Sequence, residues 1–150
     1  MGPVFAKLNS YPEEAKDQLD LALKSNPDNA WALGARGGWN IEIVRTGGER
    51  LGYWLYGATV QDGLGDFAQA FKAATNSVVL RYQYALSLGG YDRSKYRKEI
   101  ADALARCING KAYSVYDRYT QNRAKELQAA LDRNDANTFD RIVKHDQGYP

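Results

Sequence analysis

Apolar residues in this chain recur every three or four positions, segment after segment, and each segment is cut by a Gly, Pro or Asn turn. Nowhere do they sustain a period of two. A strand buries every second side chain and a helix every third or fourth, so this spacing leaves little room for a sheet. The expected fold class is all-α, built from seven or eight amphipathic helices. With 150 residues, 44% hydrophobic and 25% charged, the chain has the size and composition of one packed domain that folds without staples. Residues 1–150 are therefore expected as a single domain, with 1–10 and 146–150 as loose ends.

Ser10-Tyr11-Pro12-Glu13 has the form of a capping box and places a helix start at Ser10. Ala15, Leu19, Ala22 and Leu23 follow at helical spacing until Asn26-Pro27-Asp28 breaks the run. A second helix is expected over 28–45, stopped by Gly47-Gly48. Its Gly34, Gly37 and Gly38 each cost about 1 kcal/mol relative to alanine, which close approach of a neighbouring backbone would offset. Residues 49–66 are the least regular stretch, read as a short helix and a loop, with Tyr53-Trp54-Leu55-Tyr56 between glycines.

Asp66 is expected to cap a helix reaching Ala74, with Phe67, Ala70 and Phe71 on one face. Asn76 or Ser77 caps the next, with Val79, Tyr82, Leu86 and Leu88 inward and Gly89-Gly90 ending it. A helix after Asp92 or Ser94 carries Ile100, Leu104 and Cys107 as far as Asn109-Gly110. Another, from Tyr113 to Leu131, has Tyr116, Tyr119, Leu127, Ala130 and Leu131 as its apolar set. The last, Asp135 to Lys144, uses Phe139, Ile142 and Val143.

The formal charge is +2. Arg93, Lys95, Arg97 and Lys98 run into Glu99 and Asp102, the mixture of a solvated helix rather than a basic stripe, so no nucleic-acid partner is expected. The single Cys107 allows no intrachain disulfide and reads as a buried thiol. His145 is the only histidine, so no multi-histidine metal site is possible within one chain; close to the expected loose end, it reads as a solvated residue near a helix end rather than a catalytic base. Gly63-Leu64-Gly65-Asp66 lacks the spacing of a dinucleotide loop, and no Gly-Lys-Ser/Thr phosphate loop is present. Glu13-Glu14, and Asp132 with Asp135, fall at helix starts or turns, where acids favour the dipole. The expectation is a non-enzyme with no catalytic residue, metal or cofactor. No window approaches the roughly 18 apolar residues of a spanning helix, so no integral membrane association is expected. The first residues hold no signal-peptide core, and Ala6 breaks the myristoylation pattern.

Ala15, Leu19, Ala22 and Pro27 look like the small, large, small and proline positions of the second helix of a tetratricopeptide repeat. Leu33, Arg36 and Gly37 fall where the next first helix carries its large, large and small residues. Tyr82, Ala85 and Leu86 resemble that triplet again, and Tyr116 follows Tyr82 by 34 residues. Over residues 12–131 the chain thus resembles the tetratricopeptide-repeat family, interrupted by about 15 extra residues between Leu33 and Tyr82. In overall order it is similar to small bacterial repeat proteins of unassigned function.

The resemblance implies antiparallel helix pairs stacked as a short, irregular right-handed solenoid, in the bacterial cytoplasm or periplasm. Its concave groove would hold a peptide or protein partner. Candidate lining residues are Trp31, Arg36, Asn40, Arg45, Arg81 and Tyr84, with Tyr53 and Trp54 at the rim; the arginines suit a partner's carboxylate. The aromatic stretch fits either partner contact or a plug against the chain's own helices. Two alternatives stand beside this reading. One is a small-molecule-binding or export-linked accessory protein with an enclosed apolar pocket, and the other is a structural homo-oligomer.

Overall fold

The computed structural model describes residues 3–149, and among them it holds seven helices and no strand. The helices are α1 (Pro3–Ser25), α2 (Ala30–Tyr56), α3 (Val60–Ala73), α4 (Val78–Asp92), α5 (Arg97–Asn109), α6 (Val115–Asp132) and α7 (Ala136–Asp146). The all-α expectation holds. The chain divides into two compact units, Met1–Thr75 and Asn76–Pro150.

In the first unit α2 packs against both α1 and α3. α1 begins at Pro3, upstream of the start expected at Ser10, and carries Pro12 inside it. A single proline removes only one backbone donor, so a helix can continue through it at a cost. The Ser10 cap itself falls on a side chain outside the described set. Asn29 caps α2 by accepting from the Ala32 N–H at 3.1 Å. Leu33, Ile41 and Val44 then turn inward.

The glycines of α2 have the expected cause at one position. A Cβ on Gly37 would lie 2.9 Å from the Gly63 carbonyl oxygen, and one on Gly63 would lie 2.9 Å from the Gly37 carbonyl oxygen. The two helices meet backbone to backbone. Gly47-Gly48 does not end α2 as expected. Gly48 takes φ 79° and ψ 162°, a conformation open essentially to glycine alone, and the chain resumes helix beyond it until Gly57. The expected stop is therefore a kink. Nor does Asp66 cap α3: Thr59 does, accepting from the Asp62 N–H at 3.0 Å. The helix starts seven residues earlier and places Asp66 and Phe67 in its buried face.

In the second unit α4 touches α5, α6 and α7. Ser77 caps it, and Val79, Tyr82, Leu86 and Leu88 are buried, as the spacing indicated. It runs past Gly89-Gly90, the expected end, to Asp92. Gly89 serves packing there: a Cβ would meet Phe139 Cε1 of α7 at 2.8 Å. On α5, Ile100, Leu104 and Cys107 are wholly buried. Burial, with Asp117 adding to it, pushes the Cys107 thiol up to about 12. The Gln121 side-chain amide donates to the Cys107 and Gly110 carbonyls at 3.0 and 2.7 Å, adding to the Gly110 N–H bond to Cys107 that closes the end of α5.

α6 opens on a capping box of Ser114 and Asp117 and buries Thr120, Ala124, Leu127, Ala130 and Leu131. Tyr116 and Tyr119, expected in its apolar face, are instead exposed and stack on each other with ring centres 6.2 Å apart. They belong to the first turns, before the buried stripe begins. α7 buries Phe139, Ile142 and Val143 as expected. Beyond Asp146 the backbone is still hydrogen-bonded. Gly148 takes φ 78°, its N–H donates to the His145 carbonyl, and Tyr149 N–H donates to the Lys144 carbonyl at 2.9 Å. That pair of bonds is a Schellman cap.

The Asp146 side chain, at the end of α7, is nearly buried. It accepts from Arg123 Nε at 3.0 Å and Nη2 at 2.8 Å, and from the Tyr82 hydroxyl of α4. Burial favours the neutral acid, but hydrogen bonds from Arg123, His145 and Tyr82 outweigh it and hold the carboxyl below its ordinary range. A group depressed in this way stabilises the fold above its unfolded pKa and loses that contribution as pH falls through its folded value.

Asp146→Asn should therefore lower stability at pH 7 by about 2–4 kcal/mol. Below about pH 4, its urea midpoint should fall less steeply on acidification than that of the wild type. A second comparison reads the glycines. Gly89→Ala should cost about 1–3 kcal/mol through overpacking on Phe139. Gly65→Ala, where an added Cβ meets nothing within 4 Å, should gain about 0.5–1 kcal/mol. Equilibrium urea unfolding of the three proteins checks both signs.

Candidate functional site

Six of the eight candidate residues, Trp31, Arg36, Asn40, Arg45, Tyr53 and Trp54, lie on α2 in the first unit, and Arg81 and Tyr84 lie on α4 in the second. The six do not share a face. At roughly 100° per residue, Arg36 and Trp31 are about 140° apart around the helix. Arg36 and Asn40, one turn apart, point to the same side, where the Asn40 amide donates to the Arg36 carbonyl at 3.1 Å.

Arg36 is the centre of an ionic network that joins all three helices of its unit. Its Nε and Nη2 donate to the two carboxylate oxygens of Asp66 at 2.8 and 2.7 Å, and its Nη1 donates to Asp20 at 3.2 Å. Lys16 donates to the same Asp20 carboxylate. The Asp66 side chain is 8% exposed, so its pair with Arg36 is the most sheltered part of the network. Hydrogen bonds to Asp66 raise the Arg36 pKa against the opposing effect of burial. Burial opposes ionisation of Asp20 too, and Lys16 and Arg36 overcome it, holding that carboxyl below its ordinary range.

Asn40 completes the arrangement by accepting from the Thr59 N–H at 3.3 Å, which ties α2 to the cap of α3. Beside these groups opens a polar cleft of about 430 Å³, with Gln61, Asp62 and Gln69 of α3 on its wall. The two cations on its lining, Lys16 and Arg36, are already paired with Asp20 and Asp66. The carboxylates that Arg36 was expected to take from a partner are supplied by the chain's own Asp66 and Asp20.

Arg45 is similarly engaged, with Nε and Nη2 on the two Glu42 oxygens at 2.8 and 2.6 Å. Trp31 is 60% exposed on the outer side of the helix. On α4, burial lowers the Arg81 pKa, with Arg106 adding repulsion, and burial raises that of Tyr84. Both are half-buried within the second unit.

Beyond the Gly48 kink, the arm 49–56 has two faces. Gly52 is buried, and a Cβ there would sit 3.5 Å from the Val44 backbone. Tyr56, one turn on, meets Trp39 edge to face with ring centres 6.3 Å apart. This inner face is the plug that the aromatic stretch suggested. The outer face is different: Tyr53 is 66% exposed and Trp54 79%, and Leu51 and Leu55 flank them in the open. The Trp39 indole also donates to the Pro12 carbonyl at 2.9 Å, so α1, α2 and the arm are joined through one ring.

Sequence reasoning missed the role of Asp66, read as a helix cap, and of Asp20. Nothing local signals either, since Arg36 and Asp66 are thirty residues apart. Leu51 and Leu55 were legible as apolar neighbours of Tyr53 and Trp54. His145 is 75% exposed at the end of α7, with Nδ1 2.8 Å from an Asp146 oxygen. Among the described residues, no three His, Cys, Asp or Glu side chains cluster as a metal site requires, and no helix is long and apolar enough to cross a membrane. Comparison with protein-family models, curated proteins and solved structures returns no match.

Removing Arg36 leaves Asp66 as a buried charge without its main partner. Arg36→Ala should lower stability by about 2–3 kcal/mol, somewhat less than a fully buried pair because the guanidinium is partly solvated. Asp66→Asn in the same background should recover part of that loss, and a double-mutant cycle by urea unfolding measures the coupling.

Proposed function

We propose that this chain is a non-catalytic binding module that holds a peptide or protein partner on the outer face of the arm 49–56. The observation that carries this reading is the exposure of Leu51, Tyr53, Trp54 and Leu55 on one short helical arm braced from behind by Gly52 and Tyr56. Aromatic side chains with a polar edge suit surfaces that are alternately wet and covered, and Trp and Tyr dominate the energy of protein interfaces. Bracing holds the arm itself in place before a partner arrives, which lowers the ordering cost of binding.

In this proposal the tetratricopeptide-like stacking of helix pairs is the scaffold, and the arm replaces the arginine-lined groove as the contact surface. Arg36 and Arg45 act inside the fold, because their forks are engaged with Asp66, Asp20 and Glu42. Self-association is the second reading. It is favoured by a separate exposed apolar set in the second unit, formed by Tyr113, Val115, Tyr116 and Tyr119.

Affinity capture from the native host, with wild type and Tyr53→Ala/Trp54→Ala as parallel baits, tests the proposal. The same partner should bind wild type and be weakened at least about thirtyfold by the double substitution, with the thermal unfolding midpoint unchanged. Retention of that partner by the folded double variant would overturn the assignment. Sedimentation velocity over a concentration series reads self-association separately.

A further inference from the structure

In the second unit two helical stripes line a common cleft. From α6 and its C-cap come Arg123, Glu126, Ala129 and Arg133, and from α7 come Thr138, Arg141, Ile142 and His145. The space between them is about 490 Å³, within the range of small-molecule sites. Ala129 and Ile142 give it an apolar component and the arginines give it charge.

The three arginines are not equivalent. Arg123 is spent, with Nε and Nη2 on Asp146 and Nη1 on Glu126 at 2.7 Å. Arg133 is 61% exposed and forms only a loose ion pair, with Nη2 3.7 Å from Asp135, which leaves most of its donors to solvent. Arg141 has no acidic partner among the described residues. Two guanidinium groups with donors still open to solvent therefore line the same cleft, one from the end of α6 and one from α7. His145 turns Nδ1 to Asp146, which leaves Nε2 for another group.

We infer that this cleft binds a small phosphate monoester. Guanidinium forks match the geometry of phosphate oxygens and pair with them bidentately, and two such forks match a dianion, whereas a carboxylate is satisfied by one. Ala129 and Ile142 receive the uncharged body of the ester. Glu126 disfavours a second anionic group at the other end of the cleft, which selects a monoester over a polyphosphate. This site is independent of the aromatic arm and draws on residues of one unit only.

Phenyl phosphate is the probe, titrated calorimetrically into wild type, Arg133→Gln, Arg141→Gln and the control Arg118→Ala, an exposed arginine of α6 outside the cleft. Benzoate and phosphatidic acid vesicles are the comparison ligands. Wild type should bind phenyl phosphate saturably, each Gln variant should lose about tenfold or more in affinity, and Arg118→Ala should stay within about twofold. Benzoate should bind at least about tenfold more weakly.

Far-UV circular dichroism of each variant verifies the fold, and both substituted side chains are on the surface. Four results would overturn the inference. They are no saturable binding by wild type up to about 10 mM, an equal loss in Arg118→Ala, benzoate binding as tightly as the phosphate, or binding of vesicles without binding of the soluble ester.

Discussion

At the crossing of α2 and α3 neither helix presents a side chain. Gly37 and Gly63 face each other so closely that a methyl group on either would strike the other's carbonyl oxygen. The rest of the first unit assumes that separation. Phe67, one turn after Gly63, lies over Gly37, and its neighbour Asp66 thereby comes within reach of Arg36, the neighbour of Gly37. The ionic network, the Asn40 tie to Thr59 and the polar cleft all follow from a contact in which two side chains are missing. Glycine is costly inside a helix, and here the cost is offset by packing that no other residue allows.

The helical character of the chain was legible because its cause is local: apolar spacing, turn residues and caps sit within a few positions of one another. Ser77, Gly110 and Asp135 mark boundaries where the residues suggested them. The boundaries that differ are those where tertiary contacts override a local signal. Gly89-Gly90 reads as a terminator, yet Phe139, fifty residues away, fills the space its missing side chain leaves. Gly47-Gly48 reads as a stop, yet a single glycine in an unusual conformation lets helix resume. The candidate site divided in the same way. The exposed aromatics could be named in advance because their surroundings are Gly-rich and short, whereas the internal carboxylates of Arg36 come from two other helices.

Both units use the same device to hold their helices together. In each, one nearly buried aspartate collects the fork of one arginine: Asp66 takes Arg36, and Asp146 takes Arg123. Each pair then recruits a group from a third helix, Asp20 of α1 in the first unit and the Tyr82 hydroxyl of α4 in the second. Such pairs add less to net stability than their distances suggest, since both ions lose water on burial. Their geometry does demand one register, because a helix displaced by a turn leaves a charge unpaired in a sheltered place. The hydrophobic faces supply the drive to associate, and the forks favour one arrangement of those faces.

Cys107 gives the second unit an internal clock. It is the chain's one thiol, and it is wholly covered on α5. With its pKa pushed to about 12, almost none of it is thiolate near neutral pH, so a thiol reagent finds neither access nor a nucleophile while the helices stay closed. Reaction must wait for α5 to lift away. Where the reagent is concentrated enough to react faster than the helices reclose, the rate at which it consumes the thiol is the frequency of that opening, read without a label and without a background from the other unit.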